Sequence, residues 1–363
     1  MIIAPNGGPA ELHGARVIGL PSRPFLLYPE LRLALPRQRM REMLLEFRPD
    51  VLHVIEPALL GIGGIYYGEV LRLPLVISAH TNLHQYLRYY RLGLLERFIW
   101  AMMRERHSRA NLNLCTSTVT LKDLHEHGIE DPRLWERAVD AELFSPEARS
   151  AEMRAKLSGG EPEKPLLLYV GRLSAEKEVA SLREVIRAHP GARLALVGDG
   201  PERQNLERYF AGTPTVFTGY MRGEELASAY ASADLFLMPS RTETLGLVVM
   251  EAMAAGLPVV ACRAGGVPDA VQDGVTGFLF EPNEPDALLN TVARALSRET
   301  DLESIRKQAR QDAERHSWQA ATDHLREMYQ ETIDNYTPRI RPVGVAHRVL
   351  GPGTMWLLRT FLK

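Results

Sequence analysis

The sequence predicts a doubly wound α/β fold, and three observations lead to this prediction. Short apolar runs alternate with helical patterns along the chain, which is typical of strand–helix–strand units. Several of these runs are apolar at nearly every position, as expected for strands that are buried on both faces of a parallel sheet. At 363 residues the chain is also too long for one ordinary hydrophobic core, so we expect two domains.

The individual elements follow from the same patterns. Apolar runs predict strands at Val51–Ile55, Leu75–Ser78, Leu112–Cys115, Leu166–Val170, Leu194–Val197, Leu235–Met238 and Val259–Ala261. Helical periodicity predicts helices at Leu94–Arg109, Glu202–Ala211, Glu224–Ala231 and Asp286–Leu296. The longest apolar stretch, Leu245–Ala261, is interrupted by a carboxylate, a glycine and a proline, and it therefore predicts a buried helix followed by a strand.

A change of composition marks the predicted domain boundary. The segment Ser145–Pro165 is rich in Ser, Gly, Glu, Lys and Pro, which is typical of a linker. We therefore expect an N-terminal domain over residues 1–145 and a C-terminal domain over residues 146–335. Residues 336–363 carry Gly, Pro and basic residues but no acidic ones, and we expect a basic amphipathic or disordered tail.

Charge and cysteine content restrict the classes of function. The formal net charge is −2, so nothing in the overall charge points to a nucleic-acid partner. The two cysteines, Cys115 and Cys262, lie in apolar runs far apart in the sequence and form no disulfide framework, which fits a reducing compartment. The N-terminus has neither the basic flank nor the long apolar core of a signal peptide. We therefore expect a cytoplasmic protein.

The most informative segment is Ser240–Gly256. Between Leu247 and Ala255 the predicted helix is apolar on every face except at Glu251. Because an unpaired buried carboxylate costs several kcal/mol or shifts its pKa, some group must hydrogen-bond Glu251. The alternative interpretation of this residue is a core carboxylate that pairs with a neighbouring arginine.

A second carboxylate precedes the same helix. Glu243 lies eight residues before Glu251, and Thr244, Leu245 and Gly246 then place free backbone amides at the helix N-terminus. These groups predict an anion site with a carboxylate on either side. Such a site suits a nucleotide-sugar diphosphate, with amides for phosphate and carboxylates for the hydroxyls of ribose and sugar. The alternative is an ordinary capped core helix.

Three further loops follow predicted strands. Gly171 comes directly after Leu166–Val170, where a glycine lets a diphosphate approach the backbone, and Arg172 and Lys177 can neutralise its charge. One of the other two loops follows the strand Leu194–Val197, and the other follows the strand Val259–Ala261. Loops at the carboxyl ends of parallel strands face a crevice, so we expect both loops to face it. Surface salt bridges and simple turns are the alternatives. These two loops are Gly198-Asp199-Gly200-Pro201 and Gly265-Gly266-Val267-Pro268-Asp269.

The spacing of Glu243 and Glu251 resembles the Glu-x7-Glu signature of the retaining family-four glycosyltransferases. The run Glu243-Thr244-Leu245-Gly246 that continues into Leu247 is similar to sulfolipid synthases in particular. The resemblance implies the GT-B fold, with two Rossmann-like domains that face a cleft. It implies that Glu243 lies against the donor sugar, that Glu251 binds ribose, and that Arg172 and Lys177 stabilise the leaving diphosphate.

The resemblance extends over about residues 1–335. His80 and Thr81 match a His-Thr pair whose histidine contacts the donor sugar, whereas Asn82 replaces a second histidine that is usual in sulfolipid synthases. The opening residues resemble the end of the family's second strand, so we expect the N-terminal domain to lack its first strand–helix unit, on the order of 30 residues. Further similar stretches are Tyr28–Pro36, Leu59–Tyr67 and Leu134–Asp140, in which Ala138 replaces the usual Gly.

The resemblance implies a retaining hexosyltransferase that moves sulfoquinovose from a UDP-sugar to diacylglycerol. The sequence has no Asp-x-Asp motif, so we expect neither a metal nor a cofactor, and no Gly-x-Gly-x-x-Gly motif opens a helix, which disfavours a dinucleotide oxidoreductase. Two alternatives remain. One is a family-four glucosyl- or mannosyltransferase that acts on another lipid acceptor. The other is an inactive GT-B fragment that only binds nucleotide.

A lipid acceptor implies contact with a bilayer. Two segments combine arginines with apolar and aromatic residues, a composition that suits an anionic membrane surface. We therefore expect peripheral association with the inner or a photosynthetic membrane. The alternatives are a solvated helix packed on its own domain for the first segment and a disordered tail for the second. The segments are Arg23–Arg48 and Arg339–Lys363.

Overall fold

A computed structural model describes residues 1–25, 28–80 and 96–338 of the chain. Its strands are β1 (Ile2–Pro5), β2 (Glu11–Leu12), β3 (Ala15–Leu20), β4 (Ser22–Phe25), β5 (Tyr28–Ala34), β6 (Leu52–Ile55), β7 (Leu75–Ala79), β8 (Leu112–Cys115), β9 (Pro132–Leu134), β10 (Leu166–Val170), β11 (Arg193–Val197), β12 (Thr215–Gly219), β13 (Leu235–Met238), β14 (Val259–Cys262) and β15 (Phe278–Phe280).

The helices connect these strands. They are α1 (Arg39–Phe47), α2 (Leu60–Val70), α3 (Glu96–His107), α4 (Thr118–Glu126), α5 (Ala151–Leu157), α6 (Leu182–Ala188), α7 (Arg203–Tyr209), α8 (Gly223–Ala231), α9 (Leu247–Ala254), α10 (Ala287–Ala295), α11 (Leu302–Glu314) and α12 (Trp318–Asp334). Short 3-10 helices cover Pro146–Ala148, Ala175–Lys177, Val179–Ser181 and Val267–Asp269.

The seven strands predicted from apolar runs are confirmed, with ends that differ by at most one residue. The four predicted helices are present as well, although the start of the first one lies outside the described residues. Of the 15 strands in the described residues, eight were not predicted, and two of these, β12 and β15, belong to the sheet that contains β10. Both are edge strands of their sheet. Strand β12 is only half-buried and contains two threonines, and β15 has three residues, so neither shows the long apolar run of a central strand.

The chain divides into two compact units. One comprises Met1–Ser78, Glu105–Asn113 and Met328–Lys363, and the other comprises Ala79–Arg104 and Leu114–Glu327. The division into residues 1–145 and 146–335 stays a prediction. The predicted tail lies outside the described residues from residue 339 onward.

The larger unit contains a parallel sheet of order β12-β11-β10-β13-β14-β15. Alternate residues of its central strand β10 face opposite sides: Leu166 and Leu168 join one apolar cluster, whereas Leu167 and Tyr169 join another. Because both faces of the sheet are covered, the sequences of its central strands are continuous apolar runs. This arrangement confirms the doubly wound pattern that the sequence predicts.

The strand order also locates a crevice. From β10 the chain builds the sheet outward through β11 and β12, and it then returns to the other side of β10 with β13. The strand order therefore reverses between β10 and β13. In open α/β sheets, ligands bind in the crevice beside the carboxyl ends of the two strands at such a switch point. The loop that begins at Gly171 and the loop that leads to α9 therefore lie side by side.

The smaller unit is built from short parallel and antiparallel pairs. Strand β1 runs parallel to β3, and β2 and β3 form an antiparallel pair. Strands β4 and β5 form an antiparallel ribbon, and β6 runs parallel to β7. The last pair begins a sheet of order β6-β7-β8-β9. Side chains that pack around β6 and β7 include Val54, Ile65, Leu75, Ile77 and Ala110.

Helix length and polarity limit the membrane topology of the described part of the chain. Among these residues, no helix is both long enough and apolar enough to cross a membrane.

His107 is a fully buried histidine at the end of α3. Its Nδ1 lies 2.8 Å from Oδ1 of Asn113, so the ring donates to the amide oxygen through Nδ1. Burial lowers the pKa of His107 to about 4, with the hydrogen bond to Asn113 acting against this shift and the charge of Arg106 adding to it. The native histidine therefore stays neutral at pH values where an unfolded histidine is protonated.

We expect this histidine to make the protein sensitive to mild acid. Between pH 6.5 and about 4 the unfolded chain binds one more proton than the native state at His107, so stability falls as the pH falls through this window. From pH 6.5 to 5 the loss should be about 2 kcal/mol. Urea unfolding at both pH values measures it.

His107→Gln is the control, because glutamine can donate to Asn113 but does not titrate. Glu251 contributes the opposite slope in the same window, since burial raises its pKa to about 7. Only the difference between wild type and variant therefore isolates His107. An equal loss of stability in both proteins would contradict the assignment.

Candidate active site

The candidate site is centred on Glu243, which lies in the loop between β13 and α9. Its Oε2 accepts a hydrogen bond from Lys177 Nζ at 2.9 Å, and its Oε1 accepts one from the Gly246 amide at 3.1 Å. Burial acts to raise the pKa of Glu243, but Lys177 and the amides of Gly246 and Thr244 outweigh it, and the pKa lies below its ordinary value. Glu243 is therefore an ionised carboxylate inside the protein.

The helix N-terminus differs in part from the sequence prediction. Free amides were expected at Thr244, Leu245 and Gly246, but the amides of Thr244 and Gly246 both bond to Glu243. The reason is that the Glu243 carboxylate folds back onto the amides of its own loop, which ends at Gly246, the N-cap residue of α9. A part of the predicted anion site is thus occupied by the protein's own carboxylate.

Lys177 reaches Glu243 because two segments are tied together. Lys177 ends the 3-10 helix Ala175–Lys177, and the carbonyl of Glu176 in this helix accepts bonds from Ser240 Oγ at 3.5 Å and Thr242 Oγ1 at 3.4 Å. The segments follow the neighbouring strands β10 and β13. The ion pair of Lys177 and Glu243, 66 residues apart, is a consequence of the strand order.

Glu251 lies on α9, and its hydrogen-bond partner is a tyrosine. The hydroxyl of Tyr230 donates to Glu251 Oε2 at 2.8 Å. Burial raises the pKa of Glu251 to about 7, and the bond from Tyr230 acts against this rise. The expectation that a group must hydrogen-bond this buried carboxylate is confirmed. The sequence reasoning missed Tyr230, whose signal was a buried tyrosine between two alanines near the end of helix α8.

The loop after β10 is braced by a second tyrosine. Tyr169 donates from its hydroxyl to the backbone carbonyl of Arg172 at 2.9 Å. A Cβ atom on Gly171 would lie 2.7 Å from the same hydroxyl. This contact fixes the backbone of the loop that carries Arg172.

The neighbouring loop after β11 packs against it backbone to backbone. A Cβ atom on Gly198 would lie 1.9 Å from the carbonyl oxygen of Gly171, so only glycine fits there. Asp199 Oδ1 accepts from the Gly200 amide at 2.8 Å, and its Oδ2 accepts from Arg203 at 3.0 Å. The predicted donor-binding role of Gly198, Asp199 and Gly200 stays a prediction.

The loop after β14 supports the backbone of Glu243. The amide of Gly266 donates to the carbonyl of Glu243 at 2.8 Å, and a Cβ atom on Gly265 would lie 1.9 Å from the same oxygen. Asp269 anchors this loop, because its carboxylate accepts from the amide of Thr118 at 2.8 Å and lies 3.1 Å from Arg137 Nη2. The prediction that this loop faces a crevice stays a prediction, and the structure shows that the loop packs against the backbone of Glu243.

His80 follows β7 and is half-buried. Its ring contacts Trp135 edge-on, with ring centroids 5.2 Å apart. Burial lowers the pKa of His80, which favours the neutral ring. Its predicted role against the donor sugar stays a prediction, and Thr81 and Asn82 lie outside the described residues.

The described side chains include no group of three or more His, Cys, Asp or Glu residues that could hold a metal ion. The charged groups at the site are instead the Lys177–Glu243 pair, Arg172 and Glu251. Such a set can bind hydroxyls through carboxylates and phosphate through cations.

Comparison with known proteins agrees with this geometry. A model described as Glycosyltransferase Family 4 matches residues 1–143, and a model described as Glycosyl transferases group 1 matches residues 153–312. Sulfoquinovosyl transferase SQD2 of Arabidopsis thaliana is 43% identical over 336 residues, which are 90% of this chain. The chain spans 66% of the length of this relative.

A second relative and a solved structure extend the comparison. A GDP-mannose-dependent alpha-mannosyltransferase of Mycobacterium tuberculosis is 40% identical over 80% of this chain and 79% of its own length. Anabaena HepE, solved in complex with UDP, superimposes with a TM-score of 0.70 at 22% identity over 88% of this chain and 87% of that one. The predicted GT-B fold is confirmed. This chain belongs to the family-four glycosyltransferases and is a glycosyltransferase.

Proposed function

We propose that this chain is a retaining glycosyltransferase that transfers sulfoquinovose from a UDP-sugar to diacylglycerol. The observation that carries the donor assignment is a pair of carboxylates. Glu243 lies in the loop before α9, with Lys177 2.9 Å away, and Glu251 lies in the second turn of this helix. The identity of the sugar is supported by the 43% identity to SQD2. The UDP in HepE, which shares the fold, supports the choice of nucleotide.

Each residue has a role in the proposed donor complex. Glu251 accepts hydrogen bonds from the ribose hydroxyls, and Glu243 accepts them from the donor sugar. His80 contacts the sugar from another side. Gly171 lets the diphosphate approach the backbone, and the amide of Leu245 and the loop Gly198-Asp199-Gly200 line the same site.

The chemistry is a displacement in which negative charge grows on the departing diphosphate. Lys177 and Arg172 stabilise this charge electrostatically, and they do so best in the transition state, when the bond to the sugar is breaking. The bond between the sugar and the diphosphate breaks, the glycosidic bond to the acceptor oxygen forms, and the proton of the acceptor hydroxyl passes to the departing diphosphate oxygen. Retention follows from reaction on one face of the sugar, as the family resemblance implies.

Turnover with a panel of donors tests the proposal. Purified protein is incubated with diacylglycerol and UDP-sulfoquinovose, UDP-glucose or GDP-mannose, and the glycolipid product is measured. We expect product from UDP-sulfoquinovose, and its loss in Glu243→Gln. Product from GDP-mannose or UDP-glucose alone would instead favour the second candidate, a mannosyl- or glucosyltransferase, which the mannosyltransferase relative at 40% identity supports. Binding of UDP without any turnover would favour a nucleotide-binding fragment.

A lipid acceptor requires a membrane-facing surface, which we place on α1. Its residues Leu45 and Phe47 are 45% and 52% exposed, and four exposed arginines lie on the helix or next to its ends, together with the exposed Glu42 and Glu46. Apolar side chains of this kind insert into the interface, and each nearby basic residue adds about 1 kcal/mol at an anionic surface. The arginines are Arg37, Arg39, Arg41 and Arg48.

We expect the protein to float with anionic but not with neutral liposomes, and Leu45→Glu with Phe47→Glu to reduce the bound fraction several-fold. Val275→Glu is the matched control, because Val275 is similarly exposed at 40% and lies outside this surface. Binding that is lost only on deletion of Arg339–Lys363 would move the surface to the tail. Absence of binding to either liposome would contradict peripheral docking.

A further inference from the structure

The hydroxyl of Tyr230 contacts Glu251, the carboxylate that we propose binds ribose. It donates to Glu251 Oε2 at 2.8 Å, across the contact between α8 and α9. Tyr230 is fully buried, and its burial, together with the negative charge of Glu251, raises its own pKa well above the ordinary value. The tyrosine is therefore a neutral donor at neutral pH.

The ring of Tyr230 has a fixed position. Phe144 contacts it edge-on at a centroid distance of 5.8 Å, and Phe236 lies against it at 5.7 Å. Both partners belong to the same apolar core of the sheet. Since a buried tyrosine has two side-chain torsions and both are restrained by packing, its hydroxyl is held at one point. A rigid hydroxyl of this kind orients the carboxylate that it contacts.

We propose that Tyr230 is a positioning residue for nucleotide binding, whose hydroxyl holds the carboxylate of Glu251 in the ionised, oriented form that receives the ribose hydroxyls. This inference rests on the proposed function, because it takes Glu251 as the ribose ligand. It assigns a role in substrate binding to a core residue that the substrate does not touch.

The electrostatics of Glu251 agree with this role. Burial raises its pKa to about 7, and the hydrogen bond from Tyr230 is the described contact that lowers it. Tyr169 on β10 packs on the other face of the sheet and also acts on the pKa of Tyr230, but it stays protonated, since burial raises its own pKa. Removal of the Tyr230 hydroxyl should therefore leave Glu251 protonated at neutral pH. A protonated carboxyl is a weaker acceptor for ribose hydroxyls than a carboxylate.

Tyr230→Phe tests the proposal, because phenylalanine keeps the ring in the core and removes only the hydroxyl. UDP affinity is measured by isothermal titration from about pH 5.5 to about pH 9. We expect about a fivefold loss of affinity at pH 7, and an upward shift of about one unit in the pH at which affinity reaches half its maximum. Affinity should recover toward the wild-type value at the alkaline end. A change in packing alone would lower affinity equally at all pH values, and that result would overturn the proposal.

Two further variants provide controls. Tyr329→Phe removes a tyrosine hydroxyl that lies 2.6 Å from His53 Nδ1 in the smaller unit, so it should leave the pH midpoint of UDP binding unchanged. In a Glu251→Gln background, Tyr230→Phe should cause no further change in the pH profile, because the titrating group is gone. A shift that persists in the Gln background would overturn the proposal.

A second test leaves Tyr230 and the apolar core around it unchanged. Glu251→Asp keeps the charge and Tyr230, but withdraws the carboxylate by one methylene, and UDP affinity at pH 7 should fall as it does in Tyr230→Phe. Wild-type affinity in this variant would overturn the proposal. Wild-type protein that binds no UDP would refute the proposed function itself, whereas UDP binding that depends on Glu251 but not on Tyr230 would refute only the present inference.

Discussion

Lys177→Ala is expected to lower kcat about 10²–10³-fold while changing the KM for the donor much less. The reason is that negative charge grows on the diphosphate as it leaves, so that a cation beside it stabilises the transition state more than the bound substrate. Arg172→Ala should behave in the same way. Steady-state kinetics with UDP-sulfoquinovose measure both parameters. A rise in KM with unchanged kcat would contradict the role.

The interpretation requires that the variant be folded. Lys177 is paired with Glu243, and breaking a largely buried pair leaves an uncompensated carboxylate. Thermal unfolding must therefore accompany the kinetics, and Lys177→Arg, which keeps the charge, should retain part of the activity. Lys156→Ala is the matched control, because Lys156 forms a similar pair with Glu225 at 2.9 Å on the exposed surface. It should leave kcat unchanged.

Glu251→Ala is expected to weaken UDP binding by about 1.5–3 kcal/mol, or about tenfold to a hundredfold, because a charged hydrogen-bond acceptor for ribose is lost. Isothermal titration measures this directly. Because burial raises the pKa of Glu251 to about 7, the ionised form increases as the pH rises through neutrality. The affinity advantage of wild type over the variant should therefore grow from pH 6 to pH 8, on either side of that pKa.

Glu225→Ala serves as the control for this experiment, since Glu225 is an exposed carboxylate on α8 that pairs with Lys156. Its removal should leave the UDP affinity unchanged at every pH. Equal affinities of a folded Glu251→Ala variant and wild type would refute ribose binding by this residue. The comparison of variant with wild type also cancels the titration of the phosphate groups of UDP.

The buried central strands of this fold could be predicted from the sequence because periodicity is a local property. Strands such as Leu166–Val170 are apolar at every position because both faces of the sheet are covered, and this pattern needs no knowledge of the neighbours. The edge strands β12 and β15 were not predicted for the same reason, since one is half-buried, the other has three residues, and neither shows this pattern. A buried carboxylate in an apolar helix was likewise visible at Glu251.

The partners of these residues depended on the packing of distant segments. That Glu251 needed a hydrogen bond followed from its surroundings in the sequence, but the choice of Tyr230 on α8 over an arginine required the contact between two helices. Lys177 meets Glu243 because β10 and β13 are adjacent, although 66 residues separate the two side chains. The backbone of the loop before α9 likewise turned two amides that were expected to be free toward Glu243. The sequence therefore showed which residues carry suitable chemical groups. The hydrogen-bond partners and protonation states of these residues depended on strand order and burial, which no local sequence pattern determines.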